Sequence, residues 1–129
     1  DLNNDGSLEI LVNNQNEAPS LWKLSSRPPG HWLEMKLEGT VSNRSAIGAQ
    51  IKLRCGAHIQ MAEVRSGGSY LSQNDFRLHF GLGDASLADQ IDILWPGGTR
   101  QTLRNVIADR ILTIREPREK EEKAIAPGR

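Results

Sequence analysis

Apolar and polar residues alternate with a period of two through most of this chain. Leu33, Met35 and Leu37 share one parity, while Glu34, Lys36 and Glu38 hold the other. Ala49, Ile51, Leu53 and Cys55 alternate with Gln50, Lys52 and Arg54. Phe76, Leu78 and Phe80 alternate with Arg77 and His79, Ile91, Ile93 and Trp95 with Asp92 and Leu94, and Leu112 and Ile114 with Thr113 and Arg115. An extended backbone sends successive side chains to opposite faces, so this pattern predicts half-buried antiparallel strands. Glycine-rich turn signals separate them at Gly39-Thr40, Cys55-Gly56, Gly67-Gly68, Gly81-Leu82-Gly83 and Pro96-Gly97-Gly98. Many short strands at this spacing predict an all-β fold, an antiparallel β-sandwich or jelly-roll-like domain. Ile59 and Met61 are out of phase with Val64, which predicts a bulge. Residues 85–89 and 106–110 are each read as one helical turn.

Two shorter strand patterns precede this domain, at residues 8–12 and 20–24, joined by the polar stretch 13–19. Pro28-Pro29-Gly30 then removes backbone donors and apolar groups together, which places a linker at 27–30. The chain is thus divided into 1–26, a sandwich at 31–116, and a tail at 117–129. That tail has no apolar face and is expected to be solvated.

The first nine residues carry the chain's most specific chemistry. Asp1, Asn3, Asp5 and Glu9 offer side-chain oxygens, Ser7 a main-chain carbonyl, and Gly6 the positive φ that curls a loop. A hard cation such as Ca²⁺ takes about six to eight oxygens at about 2.3–2.6 Å. The spacing therefore designates Asp1, Asn3, Asp5, Ser7 and Glu9 as candidate Ca²⁺ ligands. The competing reading is a plain Asp-Gly turn ahead of a strand. An EF-hand is excluded, because the bidentate Glu it needs at loop position twelve is here Val12.

Composition narrows the functional classes. Sixteen basic and sixteen acidic residues cancel, and only 5% of residues are aromatic. That combination gives neither an electrostatic footprint nor stacking platforms for nucleic acid. No apolar run approaches the length of a membrane span. A single cysteine, Cys55, excludes an internal disulfide and reads as a small buried hydrophobe. Gly67-Gly68-Ser69-Tyr70-Leu71 lacks the second glycine of a nucleophile elbow, and Gly81-Leu82-Gly83 lacks the third glycine and the helix of a dinucleotide fingerprint. His31, His58 and His79 have no zinc-site spacing. Asn43-Arg44-Ser45 matches a glycosylation acceptor, which matters only if the source glycosylates. No constellation of acid, base and nucleophile stands out, so an enzyme is not expected.

Specific words also recur in a specific order: His31-Trp32-Leu33, Leu37-Glu38-Gly39-Thr40, the run from Ser42 to Ala49, the run from Ser69 to Asp75, Leu78-His79-Phe80-Gly81-Leu82-Gly83 and Trp95-Pro96-Gly97-Gly98-Thr99. On these, residues 31–116 resemble the ASPIC/UnbV domain of cartilage-acidic-protein-like proteins. Residues 1–24 resemble the calcium loop and following strands of an FG-GAP or VCBS-type β-propeller repeat. The resemblance implies a secreted, extracellular or envelope-associated protein with propeller repeats upstream, of which this chain would be the C-terminal part. It implies no settled activity. The repeat is cut at Asp1, and the EGF-like module of some animal members is replaced by the charged tail.

Loop chemistry supplies the remaining candidates. Asn43, Arg44, Ser69, Tyr70, Gln73, Asn74 and Arg77 lie near predicted strand ends, with amides, hydroxyls and a guanidinium suited to sugar hydroxyls or a partner's polar rim. Equally, they could satisfy one another and cap loop backbone. Trp32 and Trp95 read as packing residues, and Trp22 as packing the preceding repeat onto the sandwich domain. The expected function is a non-enzymatic interaction or adhesion module on a calcium-binding propeller, with a protein or glycan partner at the cell surface or matrix. The alternative is a carbohydrate-binding accessory domain of a carbohydrate-active enzyme.

Overall fold

The computed structural model describes residues 1–23 and 30–118, which form nine strands and no helix. The strands are β1 (Ile10–Val12), β2 (Ser20–Trp22), β3 (His31–Glu38), β4 (Gln50–Cys55), β5 (His58–Glu63), β6 (Leu78–Gly83), β7 (Leu87–Leu94), β8 (Arg100–Ile107) and β9 (Arg110–Arg115). Among the described residues, β1 and β2 pair only with each other, one sheet has the order β6-β3-β9, and the other has the order β5-β4-β7-β8. The last two are the layers of an all-β sandwich. Every pairing is antiparallel except β3–β9, which is parallel from Leu33↔Arg110 to Glu38↔Arg115.

The alternation seen in the sequence builds the core directly. Leu33, Met35 and Leu37 from β3, Phe80 and Leu82 from β6, and Ile114 from β9 meet Ile51, Leu53, Ile91 and Ile93 from the facing sheet. Burying each large aliphatic side chain stabilises by roughly 1.5–3 kcal/mol. Cys55 is buried with them, and burial pushes its thiol up from the ordinary value. Trp95 closes one end of the core, its indole donating to Gln101 Oε1 at 3.1 Å.

Several local expectations are corrected. Residues 58–63 pair with β4 without a register shift, so there is no bulge there. Ala62 and Val64 turn inward, and Ile59 and Met61 lie exposed on the outer face. The register shift falls instead between His31 and Trp32. Neither helical turn exists: Leu87 opens β7, and residues 106–110 end β8 and begin β9. β8 itself had no legible alternation. Ala88 and Ile91 both face the core, as do Leu103 and Val106, so β7 and β8 change parity at the same level. Asn105, at φ 53°, makes that change. Most of the linker (27–29) and the tail from 119 onward lie outside the described residues.

β3 is covered on both faces. Trp32 and Glu34, on the face turned away from the sandwich core, are 7% and 2% exposed. The alternation pattern assigned that face to solvent at Glu34; residues 1–9 roof it instead, and this roof creates the site described next.

Candidate functional site

Three side chains dock the first loop on the sandwich. Arg77, just before β6, donates from Nη1 to Asn4 Oδ1 at 2.6 Å and from Nη2 to the Asp1 carbonyl at 2.8 Å. His79 Nε2 lies 2.9 Å from the Gly6 carbonyl, and its ring stacks parallel to Trp32. Gly6, at φ 85°, lies flat against the Trp32 indole, where any Cβ would overlap the ring. Trp32 Nε1 is consequently buried without a hydrogen-bond acceptor among the described residues.

Arg77 also reaches inward. Its Nη1 is 2.9 Å from Glu34 Oε2, a charge contact off the hydrogen-bond line, so that oxygen has no hydrogen-bond donor among the described residues. Its Nε donates to Asp75 Oδ2 at 2.6 Å. Burial raises the Asp75 pKa, but the amide and guanidinium of Arg77 outweigh it and hold the carboxyl below its usual range. All three guanidinium nitrogens are thus engaged inside the molecule, and Arg77 clamps three segments rather than offering a free hand to a ligand.

Around this clamp lies a groove of about 720 Å³ between the first loop and the 66–75 loop. Leu2, Leu8, Leu11 and Leu78 supply apolar surface, Asn13, Ser72, Gln73 and Asn74 supply hydrogen-bonding groups, and Glu34 lies on the β3 side. The groove brings Asp1 and Glu9 of the proposed metal set together with Gln73, Asn74 and Arg77 of the proposed ligand set. Gln73 also stiffens its own loop: Oε1 accepts from the Gly67 amide at 2.8 Å, and Nε2 donates to the Asn74 carbonyl at 2.7 Å. Ser69 bridges to Ser72, which throws Tyr70 and Leu71 to the loop tip, each 89% exposed. Leu71 holds a positive φ of 46°, uncommon for a residue with a branched side chain.

Asn43 and Arg44 lie elsewhere. The Asn43 amide closes its own turn, donating to the Ile47 carbonyl and accepting from the Ile47 amide, both at 2.9 Å. Arg44 lines a separate cavity beside β9. The groove leucines, Glu34 and His79 were missed as site residues. Their only signal was strand-like hydrophobicity and alternation, which says nothing of what roofs a face.

In the first loop, the Asp1 carboxylate accepts from the amides of Asp5 (3.0 Å) and Gly6 (2.8 Å), and Asp5 Oδ1 accepts from Ser7 at 2.8 Å. Asn3 donates to Asp5 Oδ2 at 2.7 Å. Asp5 Oδ2 and Glu9 Oε1 both face the Lys23 ammonium, at 3.4 and 3.3 Å. The Asn3 amide, then the Ser7 amide, holds the Asp5 carboxyl far below its ordinary range, and the Leu2 amide lowers Glu9. Among the described residues, no three Asp, Glu, His or Cys side chains gather as a metal-holding group. The donor chemistry still fits a hard cation: every candidate ligand atom is oxygen, and two carboxylates already converge on one positive charge. His31 and His79, on adjacent strands, flank Trp32, whereas His58 belongs to the other sheet. His31 Nδ1 pairs with Asp109 Oδ2 at 2.6 Å.

The 39–48 loop shows what the most distinctive sequence words do. The Glu116 carboxylate, 2% exposed, accepts from three consecutive amides, those of Thr40 (3.0 Å), Val41 (2.9 Å) and Ser42 (2.7 Å), and from Ser42 Oγ (2.8 Å). Ser42 Oγ in turn accepts from the Gly97 amide at 3.0 Å. Gly39 passes so close to the Asn43 carbonyl that no Cβ fits. These words therefore encode one buried joint between β3, β9 and the β7–β8 turn. No curated protein gives a significant match to the chain. Residues 39–121, well over half of the chain, match the family described as ASPIC and UnbV. The joint and the match agree, and the chain belongs to the ASPIC and UnbV family.

Proposed function

We propose that this chain is a non-enzymatic interaction module of an extracellular or envelope-associated protein, and that it grips a partner protein in the groove between the first loop and the 66–75 loop. One observation carries the reading: exposed leucines and an amide-rich wall line one concavity, and the loop that supplies Ser72, Gln73 and Asn74 to that wall carries Tyr70 and Leu71, both exposed, at its tip. Apolar anchors within a polar rim are the anatomy of a protein-binding surface, and aromatic anchors contribute most of its affinity. Leu2, Leu8 and Leu11 favour protein over glycan, because sugar hydroxyls gain little from aliphatic surface.

The test is surface-immobilised binding to a panel of purified matrix and cell-surface proteins, with a glycan array in parallel. Leu11→Asp and Tyr70→Ala should each weaken capture of the protein ligand by about thirtyfold, the effect of losing a hot spot of roughly 2 kcal/mol. Melting should not change, since both side chains are exposed. Retention on glycans that Tyr70→Ala abolishes and Leu11→Asp spares would transfer the function to carbohydrate recognition.

In the same reading, calcium is the ion of the first loop. Asp1, Asn3, Asp5, Glu9 and the Ser7 carbonyl would hold it, and its charge would take the place of Lys23 at Asp5 and Glu9. Its contribution is structural: it neutralises the loop that forms one wall of the groove, as metal binding couples to folding. Calcium at about ten times its dissociation constant should stabilise by roughly 1.4 kcal/mol, a rise of about 5 °C in melting. Asp5→Asn should cancel the rise. A melting curve indifferent to millimolar calcium would remove the ion from this account.

A further inference from the structure

A second cavity, of about 390 Å³, lies at the end of β3 and β9, away from the groove. It is lined by Arg44, Arg115 and Arg118 together with Glu38, Gly39, Thr40 and Ser42. Glu38 is the one carboxylate lining it among the described residues. That carboxylate is already matched by Lys36 at 3.2 Å and by Arg115 Nε at 3.1 Å. Glu116 adds no exposed negative charge, because its carboxylate is buried against the 40–42 amides. The guanidinium groups of Arg44 and Arg118 make no hydrogen bond or ion pair among the described residues. Like charges gathered round one concavity with so little to oppose them repel each other, and an anion relieves that repulsion.

We propose that this cavity binds the sulfate and carboxylate groups of an acidic glycan. The planar fork of a guanidinium matches a carboxylate or sulfate two donors at a time, which an ammonium cannot do. The choice of glycan follows from the lining. Among the described residues, arginines, Glu38, hydroxyl-bearing Thr40 and Ser42, and backbone surround the space, and no apolar side chain lines it. That wall suits a hydroxyl-rich, charged chain better than a peptide. Nucleic acid is disfavoured because no aromatic face is present to stack a base.

The test is titration calorimetry of the whole chain with a heparin-derived hexasaccharide at low salt. Arg44→Ala and Arg118→Ala should each weaken binding about tenfold, the usual cost of one charge-assisted contact. The double variant should bind barely at all while its melting midpoint stays at the wild-type value. Inorganic sulfate should shift the Nε–H resonances of these arginines and leave those of Arg54 and Arg104 in place. Leu11→Asp, in the groove, should bind the hexasaccharide normally. The proposal is overturned by undiminished affinity in the double variant, by equal binding of the desulfated hexasaccharide, or by tighter binding of polyglutamate or a single-stranded oligonucleotide.

Discussion

Glu116→Ala is expected to destabilise the domain by about 3–5 kcal/mol, among the largest effects of a polar substitution at the described residues. Removing this carboxylate strands the amides of Thr40, Val41 and Ser42 and the hydroxyl of Ser42 in a partly buried corner. Each orphaned donor costs roughly 1–3 kcal/mol, less whatever an entering water recovers. The sequence-distant ties through Ser42 to Gly97 and from Thr40 Oγ1 to the Glu116 carbonyl loosen with it. For a domain of this size, the fall in melting midpoint is about 10–20 °C. Glu116→Gln retains one acceptor but presents an amino group to the remaining donors, so roughly half of the loss is expected.

The same joint makes stability acid-sensitive, with a definite sign. Burial raises the Glu116 pKa, but the Ser42 amide and hydroxyl, followed by the Val41 and Thr40 amides, outweigh it and lower it below the ordinary 4.5. A carboxyl with a depressed folded pKa contributes stability that is complete above its unfolded value and drains away as pH falls toward its folded value. Unfolding measured in urea from pH 7 downward should therefore weaken below about pH 4.5 in the wild type. Part of that acid slope should vanish in Glu116→Gln. An unchanged slope would mean that the carboxylate is not the group being titrated.

Arg77→Ala should cost about 3–5 kcal/mol for a different reason. Glu34 is 2% exposed, and Arg77 is the cation that faces it, at 2.9 Å. Breaking a buried pair leaves an uncompensated charge, whereas replacing both members by apolar groups is often neutral. Arg77→Met with Glu34→Met should thus regain much of the stability lost in Arg77→Met alone. Equal losses in the single and double variants would show that the pair is not what Arg77 sustains. Arg77 also anchors Asn4 and the Asp1 carbonyl, so both variants should loosen residues 1–9 and weaken groove binding even where the double variant regains stability. Hydrogen exchange of the Asp5 and Gly6 amides, measured alongside melting, separates the two roles.

How much of this was legible beforehand depends on the range over which a contact acts. Leu33, Met35, Leu37, Ile51, Leu53, Ile91 and Ile93 were placed on the correct face because parity within a strand is a local property. β8 escaped because Asn105 reverses parity within it, and a reversal looks like no pattern at all. Ile59 and Met61 suggested a bulge because apolar residues were taken to face inward; on this strand the core needs only Ala62 and Val64. The Ser42–Ala49 and Pro96–Gly98 words were recognised as distinctive, yet their partner Glu116 was seen only as the end of the domain. The ligand candidates are divided in space: Gln73, Asn74 and Arg77 reach the groove, while Arg44 lines the other cavity and Asn43 closes its own turn.

By itself, the sequence determined the all-β class, the core-facing parity of β3, β4 and the end of β7, several of the turns and the family to which the chain belongs, while the turn read at Gly81–Gly83 lies inside β6. Those follow from side-chain alternation, backbone sterics and ordered motifs, each set by neighbours along the chain. Only the tertiary structure decided that residues 1–9 roof β3, that Arg77 ties Asp1 and Asn4 to Glu34, and that the Glu116 carboxylate fills the bend at 40–42. The residues joined through Arg77 and Glu116 stand more than 40 positions apart, and several stand more than 70 apart. No local rule acts over such a separation: the packing of the two layers brings these groups together, and burial then makes each hydrogen bond and ion pair between them count.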